Sequence, residues 1–359
     1  MPQGSLSPKP PPDEVGTPHD TTAEAVLGVM GTFVLDRIVD LPGRSAPIEG
    51  LGGIAYALAA ARVAHPRGWS VLPIARVGAD AAPRVRDWLD RAGLTDRGLI
   101  EAEEPNNRVE LRYRDDTRRV EILRGGVAPW DWTELEPLVT GCDALVVNFI
   151  SGHELDLEAA GRVRGAVPGL VYADLHSLFL GSTESGERVP RLLADPLAWV
   201  ACFDAVQVNA DEFALLAQSF GISIHDDADD EVARRAMAHG PGLLCRTDGP
   251  RGATCWSRHE DVPIATDSGR AEGDRTVVRH QIPAERISDG DPTGCGDVWG
   301  ATMACGLLAG DAPERAAALA TGFAAVALEC SGADALIFGL TPEVGASIRQ
   351  SIAQREVVS

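Results

Sequence analysis

The sequence predicts an α/β fold: a mainly parallel central sheet covered by helices on both faces, plus a small β accessory sheet. Three observations predict it. Apolar runs of strand length alternate with Ala-rich or amphipathic runs of helix length along most of the chain. One stretch, Arg108–Leu123, breaks that rhythm with an alternation of period two. Finally, 359 residues are enough for two average domains, but no internal repeat divides them, and α/β folds near this size share one core.

Taken in order, residues 1–22 are rich in Pro, Gly and Ser and contain no apolar signal core, so they predict a disordered arm ahead of one domain over 23–359. Ala25–Asp36 (AVLGVMGTFVLD) reads as a buried strand ending in small residues and an acid. Gly52–Val63 is a glycine turn followed by an Ala-rich helix; SVLPIARVG is a strand, and APRVRDWLDRAG a helix closed by Gly93. RVELRYRDDTRRVEIL is a hairpin with Asp115-Asp116 at its turn. Strands follow at ALVVNFI, GLVYADL and DAVQVN, with helices at Leu155–Val167, Val189–Val200 and Asp211–Phe220. GLLCRT and GATCWS form a further hairpin, and Thr293–Leu308, Ala312–Glu329 and Pro342–Gln354 are helical.

Charge narrows the function. With 32 Lys+Arg against 53 Asp+Glu, the net charge of −21 argues against nucleic acid or an anionic membrane as partner. No apolar run approaches the roughly 20 residues that cross a bilayer. Lys9 is the only lysine, which base composition explains best. Seven cysteines without metal-binding spacing read as reduced thiols, so a cytoplasmic location is expected.

The segment richest in chemistry is Asp289–Ala301, DGDPTGCGDVWGA. A glycine-bracketed turn opens an apolar helix there, and helix N-termini present free N–H groups and the positive end of the peptide dipole. An anion hole for a moving phosphoryl group needs those features and no lysine. Asp297, at the same turn, is placed to accept a proton from an attacking hydroxyl, although an Asp capping a helix has the same pattern. Elsewhere, Asp174-x-His176 lacks a third metal ligand and reads as a polar cluster at a strand end bordering the crevice. Trp130 and Trp132 read as packing.

Asp291-Pro292-Thr293-Gly294-Cys295-Gly296-Asp297 resembles the C-terminal signature D-T-x-G-A-G-D of the ribokinase-like (PfkB) family of carbohydrate and nucleoside kinases. The resemblance implies Asp297 as catalytic base and the amides of Gly294, Cys295 and Gly296 as anion hole, with Cys295 in place of the usual Ala. Three other segments match in the family's order. Asn209-Ala210-Asp211-Glu212 is similar to its N-x-x-E motif, which implies that Asn209 and Glu212 organise the ATP phosphates and the waters around Mg²⁺. By themselves these residues also read as a helix capping box. Thr247, Gly249 and Gly252 match the T-x-G-x-x-G turn against the nucleotide. Gly52-Gly53 match the glycine pair that approaches the sugar, and Asp36 the acid that binds sugar hydroxyls.

The resemblance spans residues 25 to about 335 and implies a ribokinase-like fold with a small β lid at about 36–50 and 105–124. Within that lid, Asn107 and Arg108 would reach the substrate. It further implies a monovalent cation such as K⁺ near Asp291, Thr293 and the Ser331-Gly332 loop, a sugar or nucleoside acceptor, and a homodimer formed through the lid as one option. One departure stands out: many relatives have an Asn where this chain has Ala57, which leaves the acceptor open.

Two rival classes fare worse. Gly50-Leu51-Gly52-Gly53-Ile54-Ala55 satisfies G-x-G-x-x-G/A, but RSAPIE ahead of it is a poor strand and no acid follows before Ala79, against an NAD(P) enzyme. A sugar-binding relative without catalysis would tolerate loss of Asp297 or the glycines, and all are present.

Overall fold

The computed structural model describes residues 24–39, 47–113, 119–223, 228–258, 277–284 and 290–358. The expected N-terminal arm and the Asp115-Asp116 turn lie outside these residues. Among the described residues the central sheet has nine strands. From one edge to the other they are Val277–Ile282, Ala253–Arg258, Leu243–Thr247, Ala205–Asn209, Val171–Asp174, Ala144–Asn148, Ala25–Met30, Trp69–Gly78 and Leu99–Ala102. All pairs are parallel except the first two, which add Val277–Ile282 and Ala253–Arg258 as an antiparallel extension.

Parallel strands covered on both faces are apolar throughout, as Ala144–Asn148 is buried at every residue. Helices Ile54–Ala64, Ala82–Ala92, Cys295–Leu308 and Pro313–Glu329 cover one face around Trp88, Met303 and Phe323. Trp132–Val139, Leu157–Ala166, Ala210–Ser219 and Ala228–Met237 cover the other around Leu135, Val163 and Phe213. Because the strands run the same way, Asn148, Asp174 and Asn209 end at one edge of the sheet. That edge is the crevice where open α/β sheets bind ligands.

Three expectations need correction. Ala25–Asp36 is two strands: the chain turns at Gly31-Thr32, and Phe33–Val39 leaves the central sheet. It joins a second sheet of four strands, ordered Ile48–Gly53, Phe33–Val39, Arg108–Tyr113, Arg119–Arg124. Ile48-Glu49, expected to be no strand, begins one of these, so Gly50 and Gly52 sit inside a strand and form no dinucleotide turn after it. Of Val189–Val200, only Pro196–Ala201 is helical; Arg188–Pro190 pairs with Leu180–Ser182 instead. Pro190 and a left-handed Asp195 (φ 50°) keep the intervening chain from being a helix. That small hairpin abuts the outermost strand of the four-stranded sheet, with Leu123 N–H donating to Gly186 O at 2.9 Å.

A loop after Ala144–Asn148 helps to join the two sheets. The buried Glu154 accepts from the N–H groups of Ser151 (2.6 Å), Gly152 (2.9 Å) and His153 (3.1 Å), and from Thr32 Oγ1 (2.7 Å). Removing the carboxylate strands several buried donors at once. Glu154→Ala is therefore expected to cost about 2–4 kcal/mol in urea unfolding. A change below about 0.5 kcal/mol would show that the loop is not held this way.

Candidate active site

A cavity of about 450 Å³ lies between the polar end of the central sheet and the inner face of the four-stranded sheet. Its floor is the start of helix Cys295–Leu308. Gly294 precedes the helix in a left-handed conformation (φ 81°), and no side chain caps the first turn. The Cys295 N–H makes a long contact to Pro292 O (3.2 Å). Gly294, Cys295, Gly296 and Asp297 all line the cavity.

Asp297 is half-buried and accepts from Asn148 Nδ2 at 2.8 Å. Burial lifts its carboxyl to about 6, against the pull of the Asn148 amide and of His176. Behind it, Gln207 Nε2 donates to Asp174 Oδ2 and to Gly296 O, both at 3.0 Å. Tyr172 Oη donates to Gln207 Oε1 at 2.9 Å. This buried network ties the turn to the strands. Burial, with Glu212 nearby, pushes the Asp174 carboxyl well above its ordinary range.

His176 Nδ1 lies 2.6 Å from Glu212 Oε1. Burial alone would lower the imidazole, but the Glu212 carboxylate wins and raises it. Asn209 and Glu212 form a reciprocal capping box at the start of helix Ala210–Ser219, and both face the cavity. Thr247, Gly249 and Gly252 line the same end, around the turn Gly249–Arg251.

At the other end stand Asp36, Gly53, Tyr56, Val34, Val109, Leu111, Glu121 and Ile150. Gly52 lies beneath Asp36, where a β-carbon would fall 1.7 Å from Asp36 Oδ2. Three expected substrate residues, Gly52, Asn107 and Arg108, do not line the cavity. Asn107 is buried and accepts from Val127 N–H at 3.1 Å, while Arg108 points to the outer face and pairs with Asp80 at 2.6 Å. Alternation along the strand decides this: Val109 and Leu111 face inward, so Arg108 faces out. Asp291 Oδ1 accepts from Thr293 N–H at 3.0 Å, and Thr293 lines the cavity with a buried Oγ1 that has no hydrogen-bond partner. Ala57 is fully buried behind Tyr56.

Sequence reasoning missed Asn148, Gln207, Glu121 and the role of Asp174 as a partner of Gln207. One signal was present: ALVVN, VYAD and AVQVN are apolar strands that each end in a polar residue, as crevice-lining strands do. Trp130 and Trp132 pack outside the cavity beneath Arg76 and Arg162.

The fold is that of the ribokinase-like small-molecule kinases. A fructokinase from Xylella fastidiosa solved with bound ATP superposes with a TM-score of 0.68 at 16% identity, over 92% of this chain and 99% of that one. A ribokinase from Thermotoga maritima gives 0.65 at 18% identity, over 91% and 99%. A nucleoside kinase from Burkholderia thailandensis in complex with inosine gives 0.64 at 19%, over 91% and 98%. The chain belongs to the pfkB family of carbohydrate kinases, whose model matches residues 52–337. Comparison of the sequence with curated proteins found no match.

Proposed function

We propose that this protein is a kinase that transfers the γ-phosphate of ATP to a hydroxyl, in the first instance a hydroxymethyl group, of a sugar, a sugar derivative or a nucleoside. One observation carries the reading: Asp297, a carboxylate lifted to about 6, faces the cavity beside the uncapped first turn of helix Cys295–Leu308. Near neutral pH it is mostly ionised yet basic enough to take a proton, the compromise that general-base catalysis favours. The amides of Gly294, Cys295 and Gly296, with the helix dipole, stabilise charge growing on the phosphoryl oxygens. Asn148 and Gln207 hold the base and the turn in register through the contacts at 2.8 Å and 3.0 Å. Asp36 and the backbone at Gly53 orient the acceptor from the lid side, which excludes water from the reacting centre.

A hard cation suits this donor set. Mg²⁺ keeps most of its waters and is held by one or two carboxylates plus substrate phosphates. Glu212 and Asn209 at the nucleotide end fit that role, and Mg²⁺ bound there would neutralise phosphate charge. The unpartnered Thr293 Oγ1 beside Asp291 suits a K⁺-type ligand.

The test is ADP release over a panel of sugars, polyols and nucleosides. With the best acceptor, kcat/KM should fall about tenfold per pH unit below about 6, because only ionised Asp297 accepts a proton. A flat profile between pH 5 and 8, or no acceptor-dependent ADP release at all, contradicts the reading.

A further inference from the structure

The inner face of the lid carries a second carboxylate that phosphoryl transfer does not use. Glu121 lines the same cavity as Asp36, and strand register fixes the interval between them. Asp36 pairs with Val109, while Glu121 pairs with Leu111, the next inward residue along that strand. Glu121 therefore stands two strands across and two residues along from Asp36, about 12 Å between α-carbons at ordinary strand spacing. A single sugar ring seated on Asp36 stops short of it. The ground between is apolar, formed by Val109 and Leu111.

Glu121 is set from behind. The Arg188 side chain is only 2% exposed, and its Nε lies 4.0 Å from Glu121 Oε1. Nη1 donates to Ser151 O at 2.9 Å, whereas Nε and Nη2 have no hydrogen-bond partner. A buried guanidinium requires counter-charge, which Glu121 supplies from the cavity side and Glu154 from the loop that holds Ser151.

Charge restricts the ligand further. Five carboxylates line the cavity (Asp36, Glu121, Asp174, Glu212, Asp297), and among the described residues His176, tied to Glu212, is its one basic side chain. An acceptor that already carried phosphate or carboxylate would add negative charge beside Asp36 and Glu121.

We propose that Glu121, positioned by Arg188, determines acceptor specificity: it receives the N–H groups of a planar, uncharged substituent on the acceptor sugar. The acceptor is then a nucleoside, with its sugar on Asp36 and its base across Val109 and Leu111. This rests on the kinase reading above and names the acceptor class within it.

The experiment is calorimetry on the full chain saturated with a non-hydrolysable ATP analogue, with ADP release measured in parallel with ATP. The probes are adenosine, inosine and cytidine against ribose, fructose and fructose 6-phosphate. At least one nucleoside should bind about tenfold or more tighter than every sugar probe. Glu121→Gln should reduce that nucleoside-to-ribose affinity ratio by about tenfold. Arg188→Lys should reduce the ratio as well, and Val109→Thr, nearly isosteric, should reduce it several-fold. Nucleosides binding no tighter than the sugars, or a ratio unmoved by Glu121→Gln, overturns the proposal. Nucleoside binding without transfer to any acceptor overturns the kinase reading and leaves the binding assignment standing.

Discussion

Asp297→Asn is expected to lower kcat by at least about 100-fold while leaving affinity for ATP nearly unchanged. The Asn keeps a polar neighbour for Asn148 but accepts no proton. The same variant should be more stable than the parent at alkaline pH. Asp297 is lifted from 3.8 to about 6, so the folded state holds the proton more tightly than the unfolded one. Between those values the parent loses stability as pH rises, and above about 6 it bears the full cost of a buried charge. Asn removes that cost, for a gain of about 1–3 kcal/mol at pH 8 that vanishes at pH 4. Denaturant melts at the two pH values, beside steady-state kinetics, check both halves. A variant that keeps activity, or that loses it only because it unfolds, would remove Asp297 from the role of base.

Gly294→Ala should be nearly as damaging, for a steric reason. The residue sits at φ 81°, and a β-carbon there would lie 2.3 Å from the ring of Tyr56. Tyr56 is itself 4% exposed and hemmed in, so the ring has little room to give way. Left-handed strain and overpacking together predict a loss of roughly 2–5 kcal/mol. A shifted helix start also displaces the amides facing the phosphate, so activity in the surviving folded fraction should fall by about 100-fold or more. A double-mutant cycle with Tyr56→Ala separates the two causes: the cycle should recover the part due to the ring and leave the strain. Wild-type turnover in Gly294→Ala would show that the turn tolerates a side chain.

How far the sequence revealed this depends on whether a feature is local. The turn at Gly294–Asp297, the pair Asn209 and Glu212, and the loop from Thr247 to Gly252 are each contiguous, and the cavity gathers all of them. The parallel core was legible from strand and helix rhythm. The four-stranded sheet was only half legible, because Ile48–Gly53 holds three glycines and lacks a strand pattern. The Leu180–Ser182 and Arg188–Pro190 pair is too short to show a period, and Val189–Val200 looked helical until Pro190 and Asp195 are weighed. Asn107 and Arg108 were drawn toward the substrate by their place at the start of the lid, whereas pleat alternation turns Arg108 outward. Asn148 and Gln207 escaped because their contacts cross 149 and 89 residues of chain.

The hairpin beside residues 122 and 123 bears on self-association. An unpaired outer strand invites another molecule to extend the sheet by strand addition. Here Gly186 and Glu187 already occupy backbone groups of Ile122 and Leu123, so that flank comes with its own plug. A second copy adding a strand at Ile122 and Leu123 would first have to displace that hairpin.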